Sequence, residues 1–136
     1  MSVLLDLANR IHDEGVATLW SDLTVGRMPD TPDEIVTLQT YAGDASRIRN
    51  DMNLPADERF NVQVLVRAEP DNQYAAETLA AEVYDAVQFR NQTLDSGQRY
   101  AYARAVQQPA FLTIDENDRP LVAFNLEVRR HRDTFS

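Results

Sequence analysis

Few residues in this 136-residue chain are of the types that carry out catalysis. There is no cysteine, and the only histidines are His12, in a short amphipathic segment, and His131, near the C-terminal end. Thiolate nucleophiles, cysteine zinc sites and a His-x-x-x-His pair are therefore excluded. All thirteen basic residues are arginine, which also excludes a Schiff-base or phosphate-binding lysine. We predict that the chain is not an enzyme and uses no cofactor, and we interpret both histidines as surface residues.

Acidic residues occur at two places where a metal site is conceivable. Asp115–Asp118 offers oxygen ligands, but it lacks the twelve-residue spacing of an EF-hand and is more typical of a hairpin tip. Glu82 and Asp85 lie three residues apart on a predicted helix, at its solvated edge. The four glycines form no phosphate-binding or nucleophile-elbow motif. The sequence therefore predicts no metal site.

Tyrosine and arginine alternate near residue 100, where Tyr100, Tyr102 and Arg104 would share one face of a strand. Single-stranded nucleic acids stack on such patterns, but a net charge of −9 repels phosphate, so we predict no specific nucleic-acid binding. Tyrosine and arginine are also enriched where subunits meet. The residues that we predict to lie at a protein interface are Arg99, Tyr100, Tyr102, Arg104, Arg129 and Arg130.

Two amphipathic helices are predicted to support these residues. The first lies within residues 2–15, where apolar residues recur at three- and four-residue spacing, with Ser2 as its cap and Gly15 at its end. The second and main helix covers residues 71–89, with Asp71 as its cap. Its apolar stripe consists of Ala75, Leu79, Val83, Ala86 and Val87.

Alternation of apolar and polar residues predicts the strands, and it is strictest over residues 60–67. The predicted strands cover residues 17–25, 34–41, 60–67, 99–107, 109–114 and 121–130. Residues 115–120 have the composition of a hairpin connection. Residues 43–58 are predicted to be a long loop, and residues 131–136 a flexible tail.

This order of elements predicts an α+β fold, in which a mainly antiparallel sheet is covered by the main helix and the short N-terminal helix. The length, with 43% hydrophobic residues, is that of one domain spanning residues 1–136. No signal peptide and no apolar stretch of about 18 residues occurs, so we predict no membrane association.

Four stretches, taken together in this order and spacing, resemble the tail terminator and minor capsid proteins of siphophages. They are strand sequences rather than catalytic motifs, so the resemblance lies in their combination over most of the chain. The stretches are Val25–Pro29 with Glu34–Gly43, Arg59–Pro70, Arg99–Phe111 with its Gln107-Gln108-Pro109-Ala110-Phe111, and Asp115–Arg130.

The resemblance implies a structural protein of the virion, assembled in the host cytoplasm. In that family, subunits close into a ring, commonly a hexamer, on the head-proximal end of the tail tube. The ring stops tube polymerisation and offers the surface for head-tail joining. The implied partners are further copies of the chain, the tail tube protein and the head-tail connector protein.

Two alternatives remain open at this point. A head-completion or neck adaptor protein has a similar size and ring symmetry. A small ligand-binding α+β domain belongs to a different class, and a deep pocket with converging polar groups would favour it.

Overall fold

The computed structural model describes residues 2–41 and 57–131. Within these residues the elements are α1 (Val3–Asp13), β1 (Leu23–Val25), β2 (Ile35–Thr40), β3 (Asp57–Arg67), α2 (Gln73–Ala86), β4 (Phe89–Thr93), β5 (Arg99–Ala105), β6 (Ala110–Ile114) and β7 (Pro120–His131). The predicted α+β class is confirmed, with two helices and a mostly antiparallel sheet of seven strands in the described chain.

The predicted loop and tail fall largely outside the described residues, which exclude 43–56 and 132–136. The predicted end of the loop and the predicted start of the tail were both wrong. Asp57 and Glu58 already belong to β3, and His131 is the last residue of β7, because these two long strands pair along their whole length from Asp57↔His131 onwards.

The sheet has the strand order β1-β2-β3-β7-β5-β4, and β6 pairs with β7 beyond the end of β5. All neighbouring pairs are antiparallel except β1 with β2. β3 and β7 form the centre, where Val64 lies opposite Phe124 and Val62 opposite Leu126. Alternate residues of both strands are buried, as the sequence alternation predicts for a sheet with one face on the core.

Both helices pack on that core face and contact each other. Leu7 and Ile11 of α1 join Ala80 and Val83 of α2 in the same apolar cluster as Phe124. The core therefore lies between one layer of helices and one layer of sheet.

The N-terminal helix forms as predicted. The Ser2 side chain accepts a hydrogen bond from the Leu5 backbone N–H at 3.3 Å, which satisfies one of the donors that the first turn leaves open. Gly15 has φ of +78° just beyond the helix end, a conformation that glycine adopts at low cost.

The main helix is shorter than predicted at both ends. Its cap is Asn72, whose side chain accepts from the Ala75 N–H at 3.1 Å, and not Asp71. Asp71 instead takes a left-handed backbone conformation and donates its N–H to the Asp118 carbonyl. At the other end, Phe89 begins β4 because its backbone pairs with Ala103.

The buried side of this helix also differs from the predicted stripe. Ala76, Ala80 and Val83 are fully buried, whereas Ala75 and Leu79 are only partly buried. Val83, Ala86 and Val87 of the predicted stripe are buried, so the buried side is turned by less than the roughly 100° that one residue represents. Small alanine side chains against the sheet allow the two layers to approach closely.

The predicted strand over residues 17–25 is mostly a turn. Asp22 Oδ1 accepts the Thr18 N–H at 2.7 Å, and the Trp20 N–H donates to the Leu23 carbonyl at 2.7 Å. These bonds reverse the chain, so only Leu23–Val25 pairs as a strand.

Candidate assembly surface

The face of the sheet opposite the helices carries a group of charged and aromatic side chains. Strand register places Arg59 opposite Arg129, and Arg129 opposite Tyr102. In the next rung, Arg104 lies opposite Glu127. Because side chains in a rung of one face are neighbours, the five residues converge. We call these five residues the arginine–tyrosine surface.

Direct contacts join the members of this surface. Arg104 donates through Nε and Nη2 to Glu127 Oε1, at 3.1 and 2.7 Å. The guanidinium carbons of Arg104 and Arg129 lie 4.9 and 5.6 Å from the Tyr102 ring centroid, within the range of cation–π attraction. Arg59 Nη1 lies 3.9 Å from Glu127 Oε2. The surface is therefore an ordered network in which arginines outnumber carboxylates.

The charges of this network shift two pKa values. The hydrogen bond from Arg104 lowers the pKa of Glu127, and the nearby charges of Arg104 and Arg59 add to the shift, while partial burial opposes it. The same hydrogen bond raises the pKa of Arg104. Both groups stay ionised near neutral pH, so the surface keeps its charges there.

Two buried polar atoms on this face have no hydrogen-bond partner within the described part of the chain. They are Asn125 Oδ1 and Arg129 Nε, both on β7. Arg129 Nε has only an ion-pair contact, 3.7 Å from Asp57 Oδ2. Buried polar groups are normally bonded, so these two atoms are exceptions on this face.

Tyr100, one of the predicted interface residues, belongs to the core. A register shift between Tyr100 and Tyr102 turns the two side chains to opposite faces, so the predicted alternation of Tyr100 and Tyr102 on one face was wrong. Tyr100 is 0% exposed, and its hydroxyl donates to Asp6 Oδ2 of α1. Burial raises the pKa of the Tyr100 hydroxyl, and the bond to Asp6 raises it further.

The remaining predicted residues do not all lie on the same face of the sheet. Arg130 points to the core side, where it donates to Glu58 Oε1 at 2.9 and 3.1 Å and lies over the Phe60 ring at 4.9 Å. Arg99 is exposed at the start of β5, opposite Thr93 of β4. Of the six predicted residues, the structure brings Tyr102, Arg104 and Arg129 together.

Two buried arginines were not singled out from the sequence. Arg67 donates to four backbone carbonyls of residues 29–33 at 2.7–3.1 Å. Arg119 donates to the carboxylates of Asp30, Asp33 and Asp115 at 2.9–3.2 Å. Together they attach the proline-containing loop to the end of the sheet. The sequence carries only a weak signal of this role: Arg67 ends the predicted strand over residues 60–67, and Arg119 lies just before the predicted strand over residues 121–130.

These contacts also decide the interpretation of the acidic run at residues 115–118. Asp115 Oδ1 accepts the backbone N–H groups of Asn117 and Arg119, both at 2.9 Å. Burial raises the pKa of Asp115, but these bonds and the Arg119 guanidinium outweigh it and lower the pKa overall. Its oxygens are occupied by donors of the hairpin itself, which agrees with the predicted hairpin tip.

The histidines and helical acids take part in local contacts. His12 Nδ1 accepts the Leu19 N–H at 3.1 Å, and His131 Nδ1 lies 3.0 Å from Asp57 Oδ1. Glu82 and Asp85 are both exposed. Across residues 2–41 and 57–131, no group of three or more His, Cys, Asp or Glu side chains is arranged to hold a metal ion. None of the helices in this part of the chain is long and apolar enough to cross a membrane.

Depressions on the described surface are open rather than enclosed. One of about 720 Å³ adjoins the arginine–tyrosine surface and is lined by Gln88, Phe89, Arg90, Tyr102, Ala103 and Arg104. Another, of about 370 Å³, lies beside Tyr74 and Leu79 of α2. An open depression with a mixed polar and apolar lining is more typical of a protein contact than of a site that encloses a small ligand.

An α+β domain with an ordered arginine–tyrosine network on a helix-free sheet face is the kind of protein that assembles with others. The family model described as "Bacteriophage tail terminator protein" matches residues 10–132. The chain belongs to this family, and it is therefore a structural protein of phage assembly.

Solved structures share the fold. A chain of the "Virion of native gene transfer agent (GTA) particle" is 15% identical with a TM-score of 0.59, over 93% of this chain and 84% of that chain. A second solved chain is 18% identical with a TM-score of 0.58, over 99% of this chain and 100% of that chain. No sequence among the curated proteins matches.

Proposed function

We propose that copies of this chain close into a ring, commonly six in the family that it resembles, on the head-proximal end of the phage tail tube. The ring stops tube polymerisation and offers the surface on which the head-tail connector docks. The observation that carries the proposal is the family match over residues 10–132. The partners are other copies of the chain, the tail tube protein and the connector protein.

The physical requirement for such a cap is asymmetry. Each ring of a stacked tube exposes the surface that recruits the next ring, so growth continues until a ring with a different outer face is added. A terminator must match the tube on one face and fail to accept a tube subunit on the other. Capping the tube in this way needs shape and charge complementarity rather than a catalytic residue with a shifted pKa.

The arginine–tyrosine surface is our candidate for the contact with the tube or the connector. Its side chains are already held in place by Glu127 and Tyr102, so little side-chain freedom is lost on binding. Arg99, exposed at the start of β5, extends the candidate set. Tyr100 is withdrawn from it because its side chain is inside the core.

The net charge adds a condition for assembly. With a formal charge of −9, copies in a ring repel one another over distances of about a Debye length, roughly 8–10 Å near physiological ionic strength. Assembly should therefore be favoured as salt or divalent cations screen the charge. Light scattering over a salt series measures this dependence.

The deciding experiment is a phage that lacks the gene for this chain. We expect heads and tails that fail to join, with tails of irregular and often excessive length in electron micrographs. Tails of normal length with only head joining lost would support the neck adaptor instead. Normal virions would overturn both functions.

A charge reversal then tests the surface itself. Arg104→Glu should fold but fail to complement the deletion phage, since it repels Glu127 and removes a cation from the contact. The double variant Arg104→Glu with Glu127→Arg restores the internal pair with the opposite orientation. If the double variant complements fully, the defect was internal to the chain and the surface is not the contact.

A further inference from the structure

Among residues 2–41 and 57–131, β6 has no strand partner other than β7. It pairs with β7 on one side, and all five of its residues are exposed. Phe111, Leu112 and Ile114 are 41%, 56% and 54% exposed, and no residue of the strand is charged. Exposed edges of this kind normally carry charges or proline, because their open N–H and C=O groups pair readily with another chain. This edge is therefore suited to being covered.

The opposite edge of the sheet is β1, where Leu19 forms a bridge with Leu23. There β1 is accompanied by Trp20, which is 64% exposed. Trp20 has φ of +70°, which is unfavourable for a bulky residue, and its N–H is bonded to the Leu23 carbonyl at 2.7 Å. The turn therefore keeps a costly backbone conformation while leaving the indole in solvent. Such strain is concentrated where residues have a role in binding.

Most of the large hydrophobic side chains that are exposed in the described part of the chain lie near these two edges. Six large hydrophobic side chains are exposed within the described residues, and only Tyr74 lies on neither edge. Trp20 belongs to the β1 edge. The four on β6 or the turn before it are Val106, Phe111, Leu112 and Ile114.

Strand register shows that the two edges are complementary in position and direction. Leu23 of β1 and Phe111 of β6 are the two ends of a single rung, which runs through Val36, Val66 and Val122. β6 and β1 run antiparallel to each other, because β6 is parallel to β3 in direction and β1 is not. A second copy placed beside the first in the same orientation thus brings the Trp20 turn, which covers the outer side of Leu23, next to β6.

We propose that the β6 edge of one copy docks against the β1 edge of the next copy, with Trp20 packed on the apolar side chains of β6. This inference rests on the proposed ring, whose subunit contact it names. A contact between two different surfaces repeats from copy to copy and closes into a ring where the rotation between copies allows it, whereas a surface that paired with itself would stop at a dimer. The occupant of the β6 edge is therefore another copy of this chain, joined by packing of Trp20 on β6 rather than by a continuous sheet, because the Leu23 carbonyl is already bonded to the Trp20 N–H.

The experiment blocks each edge separately. Leu112→Lys places a charge on the β6 edge and Trp20→Lys places one on the β1 edge, both at exposed positions. Under salt conditions in which the unmodified chain forms rings, alone or on tail tubes, each variant should remain a 15.4 kDa monomer by light scattering. Tyr74→Lys, at a residue 80% exposed on neither edge, is the matched control and should still form rings. Circular dichroism checks that each variant is folded.

Mixing the two blocked variants tests the head-to-tail arrangement. One retains the β1 edge and the other retains the β6 edge, so together they should form a 1:1 complex of twice the monomer mass and no larger species. Rings formed by either blocked variant, or a dimer of either variant alone, would overturn the edge assignment while leaving the ring intact. An unmodified chain that never associates, even on tubes, contradicts the proposed function itself.

Cross-linking provides a measurement that does not depend on tolerance of lysine. Because the chain has no cysteine, Trp20→Cys combined with Leu112→Cys introduces the only two thiols. In assembled rings, a short bismaleimide should then give a covalent ladder that ends at the ring size. Each single variant should give no ladder. Rings that yield only monomer with the double variant would contradict the proposal.

Discussion

The hydrogen bond between Tyr100 and Asp6 makes the most direct prediction about stability. Tyr100→Phe removes only the hydroxyl, which donates to Asp6 Oδ2 inside the core and joins β5 to α1. Asp6 is 2% exposed, so water cannot replace the lost donor without rearrangement. A hydrogen bond to a charged group, or the cost of leaving its buried partner unsatisfied, amounts to about 1–3 kcal/mol. We expect a loss of about 2 kcal/mol in the free energy of unfolding at pH 7.

Urea titration followed by circular dichroism measures this loss, since Trp20 is too exposed to report on the core by fluorescence. For a chain of this size, about 2 kcal/mol corresponds to a fall in Tm of roughly 6–10 °C. Tyr74→Phe is the matched control, because it deletes the same hydroxyl from a side chain that is 80% exposed. The control should differ from the unmodified chain by no more than about 0.5 kcal/mol.

The pH dependence gives an independent check of the same bond. Burial and Asp6 raise the pKa of Tyr100 in the folded chain above its ordinary value of 10.0. Above pH 10 the unfolded chain therefore loses a proton that the folded chain keeps, and stability falls by up to about 1.4 kcal/mol per pH unit. Tyr100→Phe lacks this proton, so the difference between the two proteins should shrink from pH 10 to pH 11. Equal stability at pH 7, or a difference that stays constant to pH 11, would refute the reasoning.

Two further predictions concern the core and the buried arginines. Leu126→Asp places an unpaired charge in the core and should abolish folding, whereas Thr93→Asp, at an exposed position of β4, should leave the circular dichroism spectrum unchanged. Arg119→Met removes the hydrogen bonds to Asp30 and Asp33 that hold the loop, and we expect a loss of about 2–3 kcal/mol in urea titrations. Unchanged stability of the methionine variant would show that the loop does not depend on this arginine.

The position of Arg129 and Arg130 illustrates how adjacent residues acquire different roles. Successive side chains of a strand point to opposite faces, so Arg129 joins the arginine–tyrosine surface while Arg130 pairs with Glu58 beside the core. A basic cluster in the sequence therefore does not become one basic patch in the fold. Of these two adjacent residues, only Arg129 remains a candidate for contact with another protein on this face.

The predictions that rest on local periodicity are correct where burial imposes that periodicity. The alternation at residues 60–67 and 121–130 corresponds to the paired strands β3 and β7, because each must present one face to the core and the other outward. Ser2 caps α1 as predicted, since capping depends on a side chain and an N–H only three residues apart. These features require little knowledge of the rest of the chain.

Errors occur where distant pairing overrides the local pattern. Phe89 begins β4 rather than ending the main helix, and four of the five β4 residues are exposed, so no apolar alternation marks this strand. Asp71 loses the capping position to Asn72 because a hydrogen bond to Asp118 of the β6–β7 hairpin holds its backbone. Ala103, which pairs with Phe89, and Asp118, which binds Asp71, are both distant in sequence. Local helix propensity therefore places both ends of the main helix wrongly.

The sequence by itself determined the class of the protein: an acidic α+β chain without cysteine or lysine, whose combined strand sequences resemble tail terminators. Tertiary structure alone decided which residues face outward. The register shift in β5 sends Tyr100 into the core and Tyr102 to the surface, and β6, which pairs only with β7 within the described residues, leaves Phe111 41% exposed. The physical reason is that composition and periodicity depend on near neighbours, whereas the exposed face of a strand depends on the register and partners that distant strands impose.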